Sequence, residues 1–352
     1  MHRRLRSFLV IAGLLAGGML AAAQDAHVKP PIRGLVSMGA FKFVGSGGDP
    51  VNTLEPLNAK PGIFGGLVVI ASWAQLEPTD GSEIDPDNVI GKALQDVRAY
   101  NEKNPQKPLA VRLRIWGGFK APGWAMKIGG PPIQAVHKNK NRRVGRFWLP
   151  EYRKAWGSLM ARLAAKYESR PLIREVAMTS CMSFTAEPFF SPSEDSVMKP
   201  LREAGFTDEA YKDCLRHGID DYAAWKTSRV VLSVNPLRTG LGQGPGDADF
   251  TMGVMRDCRA KLGERCVLDN HDLDTNLAKP LVPIYALMKK MGPEIVFQTA
   301  ATNPKDFDGT IKFGLEQGAT AIELWQDYGG FPTVPDDQLR KWAKMVEENK
   351  PR

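Results

Sequence analysis

Eight short apolar segments, separated by segments with helical periodicity, constrain the fold of this chain more than any other feature. The fourth begins at residue 173 and runs into a polar, aromatic-rich loop with one carboxylate, Glu187. Alternation of this kind is the pattern of a closed parallel barrel. We therefore predict an α/β fold, a single (βα)8 TIM barrel with long βα loops. The other predicted strands are residues 32–38, 65–73, 109–116, 229–235, 266–270, 294–300 and 320–325.

Residues 24–352 are predicted to form one catalytic domain. The chain has 352 residues, of which 43% are hydrophobic, and no Pro/Ser-rich linker divides it. Such a chain buries a full core. Helical spacing of apolar residues between the strands includes a helix that Asp87 is expected to cap and that runs to about Lys103.

The N-terminus has the three-part pattern of a cleavable secretory signal. Three arginines precede an apolar run over residues 8–20, and three alanines follow at 21–23. A membrane anchor is the alternative, but the run is shorter than the roughly 20 residues that a span requires. We expect residues 1–23 to be removed, leaving an exported protein, periplasmic or secreted, without a membrane span.

The charge of the mature chain does not predict nucleic-acid binding. The formal charge is +8, from 47 basic and 39 acidic residues. Loss of the three N-terminal arginines leaves 44 basic residues, hence a charge of +5. This excess is modest for a chain of this length, so no nucleic-acid partner is expected.

The four cysteines lie in the mature region, where export makes disulfides plausible. Cys258 and Cys266 bracket a short turn between a helix and a strand, so we expect them to pair. Cys181 and Cys214 would then pair across the loop after the fourth strand. Free buried thiols are the alternative. No Cys-x-x-Cys spacing supports a metal site.

The third and eighth strands place charged side chains inside the predicted barrel. In the third, the apolar alternate residues should face the helices, which directs Arg112 and Arg114 inward. The same alternation directs Glu323 inward from the eighth strand. Because a buried arginine needs an anionic partner, Glu323 has two interpretations: a catalytic carboxylate at the barrel mouth, or an ion-pair partner of the arginines.

Other polar residues fall at the carboxyl ends of strands, where barrel enzymes keep their active sites. For Glu187, the aromatic neighbours Phe184 and Phe189 indicate a desolvated carboxyl with a raised pKa, and a solvated loop acid is the alternative. A metal site over residues 269–274 is not favoured, since no second histidine is nearby. The further residues expected to bind substrate are Arg114, Asn235, Asp269, His271, Gln298 and Asp327.

Four tryptophans at or just past strand ends suggest flat surfaces on which sugar rings stack. A packed aromatic lid is the alternative interpretation. If the first holds, the substrate is a carbohydrate. These residues are Trp73, Trp116, Trp124 and Trp325.

Three segments resemble the first half of clan-A glycoside hydrolases, especially the β-galactosidase-like family 42. They are residues 72–85, the Ala-Pro-Gly-Trp of residues 121–124, and the Ala-Ala-Lys-Tyr-Glu-Ser-Arg-Pro-Leu-Ile of residues 164–173. The resemblance covers about residues 65–188. It implies a βα barrel, a glycoside substrate and two catalytic carboxylates, an acid/base after strand four and a nucleophile at strand seven.

This sequence departs from that family at both catalytic positions. Ser180 and Cys181 replace the expected Asn-Glu at the end of strand four, and strand seven offers Gln298 instead of a glutamate. We therefore expect a relocated pair. Glu187 is assigned as the general acid, and Glu323, next to two arginines, as the ionised nucleophile or base.

The predicted function is a secreted glycoside hydrolase that acts on a poly- or oligosaccharide, with no cofactor. A non-catalytic barrel that binds glycan through its aromatic rim is the alternative. A lyase or isomerase would call for a catalytic lysine or a metal cluster, and neither stands out. The basic residues 137–146 are expected to border the cleft, or else to form a solvated loop. The oligomeric state is left open.

Overall fold

The computed structural model describes most of the chain. Its described residues are 27–39, 42–44, 49–137, 139–185, 187–189, 195–238, 246–326 and 329–350. The predicted signal peptide, residues 1–23, and the expected substrate-binding residue Asp327 lie outside these ranges.

Eight parallel strands close into one barrel, as the sequence predicts. Each strand pairs with its sequence neighbours, and the first pairs with both the second and the last. Their bounds are β1 Gly34–Ser37, β2 Gly66–Ser72, β3 Ala110–Trp116, β4 Ile173–Ala177, β5 Arg229–Ser233, β6 Cys266–Leu273, β7 Ile295–Thr299 and β8 Ala321–Leu324.

Helices follow the strands and cover the outside of the barrel. Asn88, not Asp87, caps the helix after β2, since its Oδ1 accepts hydrogen bonds from the backbone N–H groups of Ile90 and Gly91. The helices are α1 Glu55–Ala59, α2 Trp73–Leu76, α3 Val89–Lys103, α4 Pro150–Tyr167, α5 Asp195–Glu203, α6 Asp208–His217, α7 Ala248–Leu262, α8 Val282–Met291, α9 Phe307–Glu316 and α10 Asp336–Glu348. None of the described helices is long and apolar enough to cross a membrane.

The core has two layers, and alternation along β3 assigns residues to each as predicted. Leu113 and Ile115 pack outward against the helices, in a large cluster that most strands share. The opposite face of β3 contributes Trp116 to a smaller cluster inside the barrel. Arg112 and Arg114 are on this inner face and are buried. The barrel is therefore filled by charged as well as apolar side chains.

The long connection between β3 and α4 contains an antiparallel hairpin that the sequence patterns did not predict. Residues Ile133–His137 pair with Lys140–Val144. The hairpin packs against α5, and Ser196 Oγ donates a hydrogen bond to the carbonyl oxygen of Val136 at 2.9 Å. Two smaller strand pairs join Lys42–Val44 to Asp49–Val51 and Leu237–Arg238 to Gly246–Asp247.

Both predicted disulfides are present. Cys181 is bonded to Cys214, and Cys258 to Cys266, and no described cysteine is free. The first bond ties the residues just after β4 to α6. It therefore fixes the start of the loop that carries Glu187.

Candidate active site

Two arginines of β3 and two glutamates form an ion-pair network inside the barrel. Arg112 donates from Nε and Nη2 to Glu175 Oε2, at 2.8 and 2.6 Å, and from Nη1 to Glu323. Arg114 Nη2 lies 3.0 Å from both carboxylate oxygens of Glu323. Burial by itself lowers the pKa of Arg112, but Glu175 and Glu323 outweigh it and raise the pKa. Arg112 is therefore charged, and both arginines are paired with carboxylates.

Glu323 points into the barrel as predicted, but it has no exposed surface. Both of its oxygens accept hydrogen bonds from guanidinium groups. Glu175, which the sequence patterns did not single out, supplies the other negative charge. A register irregularity in β4 places Glu175 beside Arg112, and the two buried arginines were the signal that a second carboxylate was needed.

His271, at the end of β6, joins two carboxylates. Its Nδ1 lies 2.8 Å from Glu187 Oε1, and its Nε2 lies 2.8 Å from Asp269 Oδ2. Ser233, from β5, donates to the same oxygen of Asp269. Burial lowers the pKa of His271, but Asp269 and Glu187 more than offset this and raise it to about 10. The imidazole is therefore a cation at neutral pH and donates from both nitrogens.

Glu187 reaches the surface from this buried cluster, and 26% of its side chain is exposed. The expected raised pKa of Glu187 is wrong. Burial raises the pKa, but the charge and the hydrogen bond of His271 outweigh it, so the pKa is lowered. The aromatic neighbours pack into the core instead: Phe184 and Phe189 are 2% and 3% exposed. Glu187 is thus an ionised carboxylate.

A second set of hydrogen bonds fixes the other oxygen of Glu187. Asn235 Nδ2, just past β5, donates to Glu187 Oε2 at 2.8 Å. Asn270 Nδ2 donates to Asn235 Oδ1 at 3.0 Å, and the Tyr285 hydroxyl donates to Asn270 Oδ1 at 2.6 Å. This chain of amides orients Asn235. The predicted proximity of Asn235, Asp269 and His271 at one rim is confirmed.

Asp272 is the exposed carboxyl group next to His271. Although the residue as a whole is exposed, partial desolvation of its carboxyl group and the negative charge of Glu187 raise the pKa of Asp272. The environments of Glu187 and Asp272 therefore shift their pKa values in opposite directions, downward for Glu187 and upward for Asp272. The sequence patterns did not assign Asp272 a catalytic role, because only the tertiary structure shows that Glu187 lies near it.

Gln298, on β7, also faces the barrel interior. Its backbone pairs in register with Glu323, and its side chain is buried. Over the described ranges, no hydrogen-bond partner exists for its Oε1. A buried acceptor without a donor destabilises the site, so a hydroxyl group that donates to this oxygen would bind favourably.

The four tryptophans divide between two layers. Trp73 is fully buried in the outer layer, where it packs edge to face with Trp124, Tyr152 and Trp156. The expectation that Trp73 offers a ring face to a sugar is wrong, because β2 ends in α2 and the ring turns toward α4. Trp124 packs on the same outer cluster.

Trp116 and Trp325 remain on the inner side. Trp116 belongs to the interior cluster with Phe119 at a ring distance of 6.2 Å. Trp325, directly after β8, donates from Nε1 to the carbonyl oxygen of Thr299 at 2.9 Å and is only partly buried. Of these two rings, Trp116 is 5% exposed and Trp325 is partly exposed.

Comparisons with known proteins concern the fold. No protein-family model matches the sequence, and no curated protein matches it. A lactosyl-enzyme intermediate of endo-glycoceramidase II from Rhodococcus sp. is similar, with a TM-score of 0.54 and 15% identity over 89% of this chain and 80% of that one. A cellobiose-like imidazole complex of the same enzyme gives a TM-score of 0.53 at 16% identity, over 88% and 78%.

A triple mutant of an endo-β-1,4-glucanase from Xanthomonas axonopodis pv. citri is also similar. The TM-score is 0.50 at 11% identity, over 89% of this chain and 99% of that one. Likeness at such identities establishes the architecture and not the chemistry. The chain is a (βα)8 barrel of the kind found in these glycosidases.

Proposed function

We propose that this protein hydrolyses a glycosidic bond at the carboxyl-end mouth of its barrel, with Glu187 as the ionised carboxylate. One observation carries the proposal: Glu187 is partly exposed at the mouth, and the buried cation of His271 lowers its pKa. Glycosidic cleavage needs such a group to attack the anomeric carbon or to activate water. The barrels that resemble this one include endo-glycoceramidase II and an endoglucanase.

The second group that hydrolysis requires is a protonated carboxyl, which we assign to Asp272. Its pKa is raised, in part by the charge of Glu187. Asp272 would transfer its proton to the departing glycosidic oxygen as the bond to the anomeric carbon breaks. Glu187 would supply electrons to that carbon directly, or through a water molecule whose proton it accepts. Glu187 thus takes the ionised role that the sequence analysis assigned to Glu323, and Asp272 takes the acid role that it assigned to Glu187.

Three of the expected substrate-binding residues retain that role in this proposal. Gln298 Oε1 would accept a hydrogen bond from a sugar hydroxyl, and Trp116 and Trp325 would contact ring faces. Glu323 is reassigned to structure, because its carboxylate is enclosed by Arg112 and Arg114. Arg114 and Asp269 then act indirectly: Arg114 pairs with Glu323, and Asp269 accepts a hydrogen bond from His271.

A barrel that binds glycan without cleaving it is the second candidate. The positions where the resembling family carries glutamates hold Ser180-Cys181 and Gln298 here. A barrel that had lost catalysis would keep the aromatic surfaces and the hydroxyl acceptor but need neither Glu187 nor Asp272 in a defined protonation state.

Release of reducing ends from a panel of neutral and charged glycans tests the proposal. We expect cleavage by the wild type, and a loss of turnover of at least about 10²-fold in both Glu187→Gln and Asp272→Asn. Glu102→Gln, an exposed change on α3, is the matched control and should leave turnover unchanged. Binding of a glycan without any cleavage by the wild type would favour the second candidate.

We also propose that the protein is exported. The N-terminal pattern of residues 1–23 and the two disulfides support this. N-terminal sequencing of the protein recovered outside the cytoplasm should begin at Gln24. Recovery of a chain that still begins at Met1 would contradict the proposed cleavage.

A further inference from the structure

The connection between β3 and α4 is a block of positive charge without any acidic residue. Residues 117–149 contain seven lysines and arginines and no aspartate or glutamate. A block of one sign on a single loop creates a local potential that attracts ions of the opposite sign. The modest total charge of the protein hides this asymmetry.

The hairpin in this connection packs directly against the barrel mouth. The guanidinium of Arg142 lies 4.1 Å from the ring centroid of Phe119, and Phe119 packs on Trp116 inside the mouth. Arg142 Nη1 also donates to the carbonyl oxygen of Phe184 at 3.3 Å, three residues before Glu187. Arg142 thus contacts both Phe119, which packs on Trp116, and the loop that carries Glu187.

A groove of about 630 Å³ runs between the hairpin and α5. Arg142 and Arg143 line it together with Gln134, Asn141 and Ser196, and no acidic residue is among the lining residues. No ion pair within the described parts of the chain neutralises either arginine. Burial lowers the pKa of Arg142 without a carboxylate that raises it. A half-buried guanidinium without a counter-charge is stabilised when an anion binds.

We propose that the glycan bound by this protein is anionic, and that Arg142 and Arg143 bind its carboxylate or sulfate groups in the groove. This inference rests on the proposed function and specifies its substrate class. Arg142 would place a charged sugar beside Trp116 and Phe119, with the next residues of the glycan at Glu187. The planar guanidinium fork suits both carboxylate and sulfate oxygens.

Binding of the full-length mature protein to paired polymers tests the inference. The pairs are polygalacturonate with its methyl ester, and a sulfated galactan with its desulfated form, which separates the two anionic groups. We expect at least one anionic member to bind more tightly than its neutral partner, with an affinity that decreases with salt. The variant R142Q/R143Q should weaken that binding at least about tenfold at low salt and flatten its salt dependence.

The control variant K289Q/K290Q removes the same charge from the exposed end of α8, remote from the hairpin. It should bind like the wild type. Because Arg142 also packs on Phe119, its replacement could disturb the fold, so the single variant R143Q is measured as well. Arg143 is exposed, so weaker binding by R143Q reports the loss of its charge and not a loss of packing. Circular dichroism and the unfolding temperature verify the fold of each variant.

Equal binding to charged and neutral members, or equal weakening in both double variants, would overturn the inference. Binding to duplex DNA as tight as to the anionic glycan, with the same loss in R142Q/R143Q, would also overturn it, since the site would then select charge and not sugar. If the protein cleaves a neutral glycan and the cleavage requires Glu187, the proposed function stands and this inference fails. If it binds an anionic glycan through Arg142 and Arg143 but cleaves none, the anion site stands and the proposed function fails.

Discussion

The carboxylate of Glu323 receives Arg114 Nη2 symmetrically, with 3.0 Å to each oxygen, in the closed interior of the barrel. Arg112 forms ion pairs with this carboxylate and with that of Glu175. Two cations and two anions therefore balance. Breaking a buried network of this type by removing one charge leaves an uncompensated ion, which is strongly destabilising.

We predict that Glu323→Gln reduces stability more than it reduces turnover. The substitution leaves one carboxylate for two buried arginines, so the free energy of unfolding should fall by about 3–5 kcal/mol. Denaturant unfolding measures this, and turnover per folded molecule should stay within tenfold of the wild type. Asp272→Asn should show the opposite pattern. A Glu323→Gln protein with full stability and no activity would restore the catalytic role of Glu323.

Glu187→Gln should lower the pKa of His271, because the substitution removes one of the two carboxylates that raise it to about 10. Asp269 remains, so we expect the pKa to stay above the ordinary value of 6.5. Titration of the imidazole by nuclear magnetic resonance measures the shift. An unchanged pKa would mean that Glu187 does not bind His271 in solution.

The pKa shifts of His271 and Glu187 determine how the stability of the protein should depend on pH. The raised pKa of His271 gives a contribution that is complete below 6.5 and is lost as the pH rises through about 10. The lowered pKa of Glu187 gives one that is present above 4.5 and is lost as the pH falls. We expect the free energy of unfolding to decline from pH 6.5 to 10, and to decline less in Glu187→Gln. Equal declines in both proteins would contradict the assignment.

Removal of Cys181–Cys214 should cost more stability than removal of Cys258–Cys266. The two bonds span 33 and 8 residues, and the loss of loop entropy predicts roughly 4 and roughly 2.5 kcal/mol at 25 °C. Paired Cys→Ser variants and denaturant unfolding measure both. Only the first pair holds the start of the Glu187 loop, so we expect only C181S/C214S to lower turnover. The reverse order of stability would show that native packing outweighs loop length.

Trp73→Ala and Trp116→Ala should separate core packing from substrate contact. Trp73 is fully buried in the outer layer, so its loss should cost about 3–5 kcal/mol of stability and leave KM unchanged for the folded fraction. Trp116 lies in the interior cluster at the mouth, so its loss should raise KM. A normal KM in Trp116→Ala would remove it from the substrate site.

The sequence alone determined the barrel, because strand and helix periods are local properties of the chain. Alternation along β3 and β8 correctly directed Arg112, Arg114 and Glu323 inward, and the requirement that buried cations have anionic partners anticipated their ion pairs. Cysteine positions beside predicted elements also sufficed for both disulfides. Each of these conclusions depends on residues close in sequence or on a rule of charge balance.

Only the tertiary structure decided the protonation states at the mouth. Glu187 and His271 are 84 residues apart, and their 2.8 Å contact reverses the pKa shift that the neighbouring phenylalanines suggested. Likewise, the direction of the short helix α2 turned Trp73 from the mouth into the core. A pKa depends on all charges within a few ångströms, and those distances exist only after distant strands have closed the barrel.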